Sequence, residues 1–254
     1  MKKTYLAAAS LLLAHSAYAD GILDPTPGWL KVVTVSGGPA WTSPGENQMY
    51  VAPMQPFPYT YIRYNAHKDT DTIATGEAFM GLQRNFSALA LRLGIAIAGS
   101  TPATLTGSFS VDGQPVTDYS YKVSHVYVAG KAMLIACPNY WINPYLSSSI
   151  GVGFNSSKDF STTNQLYVGV ANGANVVLVP FDFDSNTTGS LSYTVGTGVN
   201  VKLNSNWEVG VGYEFADWGK SQLSTTPVVS NVFAMPKLNN LYTHELQFSL
   251  SFLY

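Results

Sequence analysis

Charged residues are scarce in this chain. Asp, Glu, Lys and Arg make up 11% of its 254 residues, whereas soluble domains carry roughly 25%. The formal net charge is -2 and the pI is about 6.0, and this balance does not favour the basic patch that nucleic-acid binding needs. We therefore expect no nucleic-acid partner.

Cysteine and long apolar runs are also nearly absent. Cys137 is the only cysteine, which excludes an internal disulfide framework. Beyond the first residues, no stretch reaches the roughly 18 continuous apolar residues of a transmembrane helix. The mature protein is therefore either soluble or crosses a membrane as strands. We predict no cofactor and no metal site.

The first residues have the pattern of an export signal. They combine a basic pair, a short apolar run and a small-x-small cleavage site, at residues 2–3, 5–14 and 17–19. The apolar run is too short to span a bilayer, which argues against a helix anchored in the inner membrane. We predict a signal peptide over 1–19, export by the general secretory route, and a single domain over 20–254.

Large apolar residues alternate with small or polar ones along much of the chain. Between residues 88 and 98, Leu and Ile occupy the odd positions, and Ala, Gly and Arg92 occupy the even ones. This period of two is typical of strands that face lipid on one side and a narrow lumen on the other. It predicts strands near 28–36, 74–84, 88–98, 119–136, 144–155, 189–203, 207–218 and 240–253. A soluble sandwich would alternate as strictly, so this pattern alone does not decide the fold.

The lengths of the connections favour a barrel. Short turns are predicted at 85–86, 137–143 and 204–206, and long polar connections at 37–73, 99–117, 156–188 and 219–238. Outer-membrane barrels have this asymmetry of short periplasmic turns and long extracellular loops. Within the second loop, Asp112-Gly113 predicts a further hairpin. The fold class predicted is all-β: a transmembrane, antiparallel, up-and-down β-barrel of eight strands.

The predicted alternation turns several charged residues inward. They are Lys31, Glu77, Arg92, Lys202, Glu208, Glu214 and Glu245. A hairpin turning at 85–86 would make Glu77 and Arg92 diagonal neighbours and a pair. Because an eight-stranded lumen is only about wide enough for its own side chains, a plug of paired charges is the favoured interpretation. The alternative is a narrow water-filled channel whose charges select small solutes.

Aromatic residues gather near the predicted strand ends, where interfacial girdles are expected. The periplasmic girdle would contain Trp29, Tyr145, Trp207, Phe252 and Tyr254, and the outer one Tyr213, Phe215, Trp218 and Tyr242.

An outer-membrane lipid-modifying enzyme is the alternative from another class. It would need a Ser/His pair on the barrel wall, so Ser124-His125 and His244 are the positions to weigh. Neither histidine has a His-x-Ser spacing or an obvious carboxylate to orient it. We therefore predict no enzymatic activity.

Three segments carry a family resemblance. They are residues 210–221 (GVGYEFADWGKS), 144–155, which open with Pro-Tyr and end in GVGFN, and the last nine residues, LQFSLSFLY. The chain resembles the OmpA-like eight-stranded outer-membrane β-barrel family, and more closely the porin-family barrel proteins of Legionella and Coxiella relatives. This family includes structural, adhesive and pore-forming members, so the resemblance implies a fold and a location rather than one role.

The resemblance also implies partners. Phe248, Leu250, Phe252 and Tyr254 would form the C-terminal signal read by the barrel-insertion machinery, and the mature protein would contact outer-membrane lipids and lipopolysaccharide as a monomer. The chain departs from the family pattern in ending on Tyr rather than Phe. It also shows no peptidoglycan-binding domain, so anchoring to the cell wall is not implied.

Overall fold

The computed structural model describes residues 28–54, 57–164, 167–172, 175–180, 182–225 and 236–254. The predicted signal peptide, 1–19, lies outside them. Within these ranges, no helix has the length and apolar character needed to cross a membrane. The strands are β1 (Trp29–Thr42), β2 (Gln48–Met54), β3 (Phe57–Ala66), β4 (Asp71–Asn85), β5 (Leu89–Ser100), β6 (Ala103–Val111), β7 (Gln114–Ala136), β8 (Ile142–Thr162), β9 (Tyr167–Asn172), β10 (Asn175–Pro180), β11 (Phe183–Asp184), β12 (Asn186–Lys202), β13 (Trp207–Asp217), β14 (Ser221–Gln222), β15 (Ser224–Thr225), β16 (Lys237–Leu238) and β17 (Tyr242–Leu253).

Eight long strands form a closed antiparallel ring. The order is β1, β4, β5, β7, β8, β12, β13 and β17, and β17 pairs back with β1 through Val33 and Phe252. The predicted up-and-down barrel is confirmed, and each of its predicted strands corresponds to one strand of the ring. Several strands are longer than predicted: β7 has 23 residues, whereas about 9–11 suffice to cross a bilayer. The wall therefore extends well beyond the membrane.

The outer face of the ring is an apolar belt. Leu93, Ile95 and Ile97 point away from the lumen and are 41%, 62% and 52% exposed, whereas polar side chains such as Ser149 and Thr194 are buried inside. A closed ring leaves no strand edge unpaired, which is what a strand protein needs in lipid. An apolar exterior around a polar interior is the architecture of outer-membrane barrels, so the chain lies in an outer membrane.

The periplasmic end has the short turns that the sequence predicts. In the turn between β7 and β8, Cys137 has a positive φ of 53°, and the Asn143 side-chain amide donates to the carbonyls of Cys137 and Tyr140 at 2.6 and 3.0 Å. In the turn between β12 and β13, Asn204 Oδ1 accepts from the Trp207 backbone at 2.9 Å. Side-chain amides thus bond the backbone groups that these tight turns leave without a ladder partner.

The extracellular end is more ordered than predicted. The hairpin at Asp112-Gly113 is confirmed: both residues have positive φ, 49° and 81°, and β6 pairs with β7 on either side of them. The stretches predicted as irregular loops also contain β2 and β3, which join the main sheet alongside β6. These strands stand outside the lipid and do not need an apolar outer face, so β6 alternates in the opposite sense to the wall: Leu105 and Phe109 point inward, and Thr104 and Thr106 face out.

Candidate functional site

The lumen contains two layers of paired charges, and the periplasmic layer is built on Arg92. Its guanidinium lies 2.8 Å from the Glu208 carboxylate and donates twice to Gln83 Oε1, at 2.7 and 3.0 Å. Arg92 is only 1% exposed. Because a buried guanidinium is stabilised only when its donors are satisfied, this arrangement fixes the side chain across the lumen.

The central layer consists of Lys131, Glu77, Glu214 and Glu245. The Lys131 ammonium lies 2.6 Å from Glu77 Oε1 and 3.1 Å from Glu214 Oε2, so it joins β7 to β4 and β13 across the lumen. Glu245 accepts a hydrogen bond from the Thr243 hydroxyl at 2.7 Å. Two buried carboxylates thus share the Lys131 ammonium, and Gln247 links the third to them by donating to both Glu214 and Glu245 at 3.3 Å.

The predicted pair between Glu77 and Arg92 is wrong. The turn between β4 and β5 falls two residues later than a turn at 85–86 would place it, and the register sets Arg92 opposite Gln83 and Glu77 opposite Ala98. Glu77 and Gln83 are six positions apart on β4, roughly 20 Å along the strand. Arg92 therefore pairs with Glu208 from β13, and Glu77 pairs with Lys131.

Lys131 was missed by sequence reasoning, although a signal was present. It shares the odd parity of Tyr127 and Ala129 on β7, and all three are buried on the lumen face. The predicted strand covered this position, so applying the parity rule to it would have identified the central cation.

Two of the lysines predicted to line the lumen do not lie within it: Lys31 lies outside the lumen, and Lys202 lies at its periplasmic mouth. Val32 and Thr34 point into the lumen, and Lys31 has the opposite parity. It pairs with Tyr254, and its ammonium packs 5.3 Å from the centre of that ring, which leaves Lys31 9% exposed. This corrects the prediction for Lys31. Lys202 is at the periplasmic mouth, where its ammonium donates to the carbonyl of Pro138.

Most of the predicted girdle residues lie on the outer face. At the periplasmic end, the rings of Trp207 and Phe252 are 4.8 Å apart, those of Phe252 and Tyr254 are 5.5 Å apart, and Trp29 lies against Arg84 at 5.8 Å. At the outer end, Phe215 stacks on Tyr242 at 5.7 Å, and the Tyr213 hydroxyl lies 2.6 Å from His244 Nδ1. Phe248 and Leu250, of the predicted assembly signal, point outward from β17 with Phe252 and Tyr254 and are 56% and 45% exposed.

Two predicted girdle residues face inward instead. Tyr145 lines the lumen cavity together with Ser147, because odd positions of β8 point inward. Trp218 continues the inward parity of Glu214 and Ala216 beyond the end of β13 and is 2% exposed. An aromatic residue at a strand end indicates interfacial depth but does not by itself decide which face it occupies.

Trp218 is the centre of a cap over the outer end of the lumen. Its indole stacks on His125 with ring centroids 3.6 Å apart and meets Tyr127 edge-on at 5.0 Å. The indole N–H donates to the Thr243 hydroxyl at 2.8 Å, and that hydroxyl donates in turn to Glu245. The cap is therefore hydrogen-bonded through Thr243 to the central layer below it.

An aromatic cluster continues the cap into the extracellular extension. Tyr64 packs against Phe109 and Tyr119 at 5.3 and 5.6 Å, and Tyr119 stacks on Tyr121 at 6.4 Å. Burial raises the pKa of Tyr119 to about 12, so its hydroxyl stays protonated at neutral pH. Among the described residues, rings thus fill the interior of the extension.

The cavity between the layers is small. It has a volume of about 30 Å³ and is lined by Arg92, Lys131, Ser147 and Asn200 among others. A water molecule needs roughly 10–15 Å³ of such volume, so the cavity has room for about two waters. The Asn200 side-chain nitrogen is buried without a protein partner, and a water in this cavity would satisfy it.

The two histidines considered for catalysis lie in different surroundings. His125 is 1% exposed inside the barrel, with Nδ1 3.0 Å from the Ser100 hydroxyl. Its neighbour Ser124 has the opposite parity and faces outward. His244 is exposed on the outer face beside Tyr213.

Comparison with known proteins gives matches of structure only. No family model matches the sequence, and no curated protein matches it. The chain is similar to Neisserial surface protein A, with 11% identity, 89% of this chain and 97% of that one covered, and a TM-score of 0.41. It is also similar to the outer membrane protein OprG from Pseudomonas aeruginosa (13%, 87% and 95%, TM-score 0.44) and to Ail, the attachment invasion locus protein of Yersinia pestis (12%, 88% and 98%, TM-score 0.33). At identities this low the likeness concerns the backbone, and no role follows from it.

Proposed function

We propose that this chain is a non-enzymatic, non-conducting barrel of the outer membrane with a structural or surface-interaction role. The observation that carries the proposal is the closure of the lumen at successive levels: the Arg92 layer, the Lys131 layer and the Trp218 cap. Each level uses buried side chains from strands on different sides of the ring. A structural or surface-interaction protein needs a stable wall, which a filled interior provides. It also needs an outer end that is exposed to the exterior.

The two alternatives have less support. A narrow solute channel would need a continuous path, whereas the cavity between the two layers has room for about two waters. A lipid-modifying enzyme would need a histidine and a nucleophile open to lipid, whereas the Ser100–His125 contact involves a histidine that is buried inside the barrel.

The partners proposed follow from the outer surface. The rings of Tyr213, Phe215 and Tyr242 would lie among headgroups of outer-membrane lipids and lipopolysaccharide. Phe252 and Tyr254 would be read by the barrel-insertion machinery, and the mature barrel would be a monomer. The narrower resemblance to the barrel proteins of Legionella and Coxiella relatives belongs to the same proposal and is carried by residues 210–221.

Thiol accessibility tests whether the lumen is closed. Ser147 is 6% exposed and lines the cavity between the layers, so Ser147→Cys places a thiol there with little change of shape. The protein is prepared as Cys137→Ser, because Cys137 is exposed, and embedded in nanodiscs that leave both ends accessible. We expect a charged methanethiosulfonate reagent to leave Ser147→Cys unmodified, since the layers on either side of the cavity exclude ions and the reagent.

Ser161→Cys, on the exposed end of β8, is the matched control and should react fully over the same period. Folding of each variant is checked first by its heat-modifiable band, and Ser249→Cys, at another position on the cavity wall, replaces Ser147→Cys if that variant does not fold. Modification of the cavity thiol at a rate close to that of Ser161→Cys would refute the closed lumen.

A further inference from the structure

A polar cleft crosses the extracellular extension, on the face turned away from the aromatic cluster. One wall of the cleft is a row of residues on neighbouring strands. The strand register places Thr106 of β6, Ser120 of β7 and Ser161 of β8 side by side. His67 extends this row beyond β3, since its backbone N–H donates to the Thr106 carbonyl at 3.0 Å. Their side chains all point outward.

A second row lies two residues further along each strand. It contains Asp118 of β7, with Ser108 of β6 beside it and Thr163 bonded to the Asp118 carbonyl at 3.0 Å. Between the two rows, Gly107 has no side chain and Tyr119 points into the aromatic cluster with 4% exposure. The floor of the cleft is therefore backbone, and its walls are polar side chains.

The dimensions suit a chain-like ligand laid across the strands. Two residues along a strand separate the rows by roughly 7 Å, and the cleft has a volume of about 370 Å³, within the range of about 300–1,000 Å³ for ligand sites. The walls are held in place: the hydroxyls of Ser120 and Ser161 are 2.9 Å apart, and the Thr162 hydroxyl bonds the Asn164 carbonyl at 2.8 Å. Little ordering is needed when a ligand binds.

The lining chemistry excludes most ligand classes. It consists of hydroxyls, the Asp118 carboxylate and the His67 imidazole, together with Gly107 and the buried Tyr119, and the described lining residues include no aliphatic side chain and no Lys or Arg. An anion would meet Asp118, an apolar ligand would leave the hydroxyls without partners, and one carboxylate is too few for Ca²⁺. Lys122, two residues along β7 from Ser120, is paired with Asp159 at 3.2 Å.

We propose that this cleft binds a neutral carbohydrate chain. Hydroxyls both donate and accept hydrogen bonds, so two rows of them match the hydroxyls on the two edges of a sugar chain, and the Asp118 carboxylate accepts from two vicinal hydroxyls of one ring. The proposal rests on the proposed surface role, because it needs the extension to face the exterior. It adds the class of partner that this surface takes.

Saturation-transfer NMR on the barrel in nanodiscs tests the proposal with three named probes: maltohexaose, cellohexaose and a short dextran. We expect transfer to at least one of them. Thr106→Val and Ser161→Ala keep the shape of the wall and remove one hydroxyl each, and each should weaken binding of that probe roughly three- to tenfold. Thr104→Val is the matched control, since Thr104 is exposed on the same face of β6 but outside the cleft.

Absence of transfer to all three probes would overturn the proposal, and so would an equal loss of binding in Thr104→Val. Both results leave the closed lumen untouched. Conversely, a barrel that conducts ions and still binds a sugar through Thr106 and Ser161 would overturn the proposed non-conducting role alone.

Discussion

Deleting Phe252, Leu253 and Tyr254 will leave an exported chain that stays in the periplasm and is digested by added protease. These residues close the ring: Phe252 pairs with both Val33 and Trp207, and the Tyr254 backbone exchanges two hydrogen bonds with Lys31, at 2.8 and 3.0 Å. Without them the ends of two strands lie unpaired in lipid, where each orphaned backbone group costs several kcal/mol. Fractionation and heat-modifiable migration on unboiled gels measure the outcome.

Tyr254→Phe is the matched control for this deletion. It keeps the backbone bonds and the ring that stacks on Phe252, and Phe is the usual last residue of the family that the chain resembles, so it should assemble normally. A deletion variant that still shows the folded band in the outer-membrane fraction would contradict this account of closure.

Lys131→Met will destabilise the folded barrel by about 3–5 kcal/mol, the effect of removing one partner from a buried ion pair. The reason is that Glu77 and Glu214 lose their shared ammonium and remain buried. Urea unfolding in lipid vesicles measures the change. Adding Glu77→Gln should recover part of the loss, because one of the unpaired charges is then removed.

Lys122→Met is the comparison for Lys131→Met. Lys122 also pairs with a carboxylate, that of Asp159, but both side chains are about half exposed, at 48% and 55%. Exposed pairs contribute at most about 1 kcal/mol, so this variant should unfold close to the parent. Equal effects of the two substitutions would show that the central layer contributes nothing beyond a surface ion pair.

The wall could be predicted from sequence because lipid imposes a strict rule on it. At positions such as Leu93 and Ile95 the outer face must be apolar. The small residues that alternate with them point inward and indicate a narrow lumen. The strands β2, β3 and β6 were predicted as loops or as a single hairpin, because a sheet in water does not need an apolar outer face. The outer face of this sheet carries Thr106 and its polar neighbours, and such residues are typical of a loop as well.

The pairing inside the lumen could be predicted only in part. Parity placed Arg92 and Glu208 on the inner face, but the depth of each charge depends on turn length, and a difference of two residues in one turn moved Glu77 away from Arg92. Trp218 was assigned to the girdle because its position at a strand end fits both an interfacial ring and a cap. Only the three-dimensional register distinguishes the two.

Single-channel recording on refolded protein in planar bilayers tests the central claim most directly. The layers at Arg92 and Lys131 and the cap at Trp218 predict a flat current trace across the range of applied voltage. The fraction of folded protein is measured by its heat-modifiable band before insertion. Resolved conductance steps that scale with salt concentration and are absent from protein-free bilayers would contradict the closed lumen.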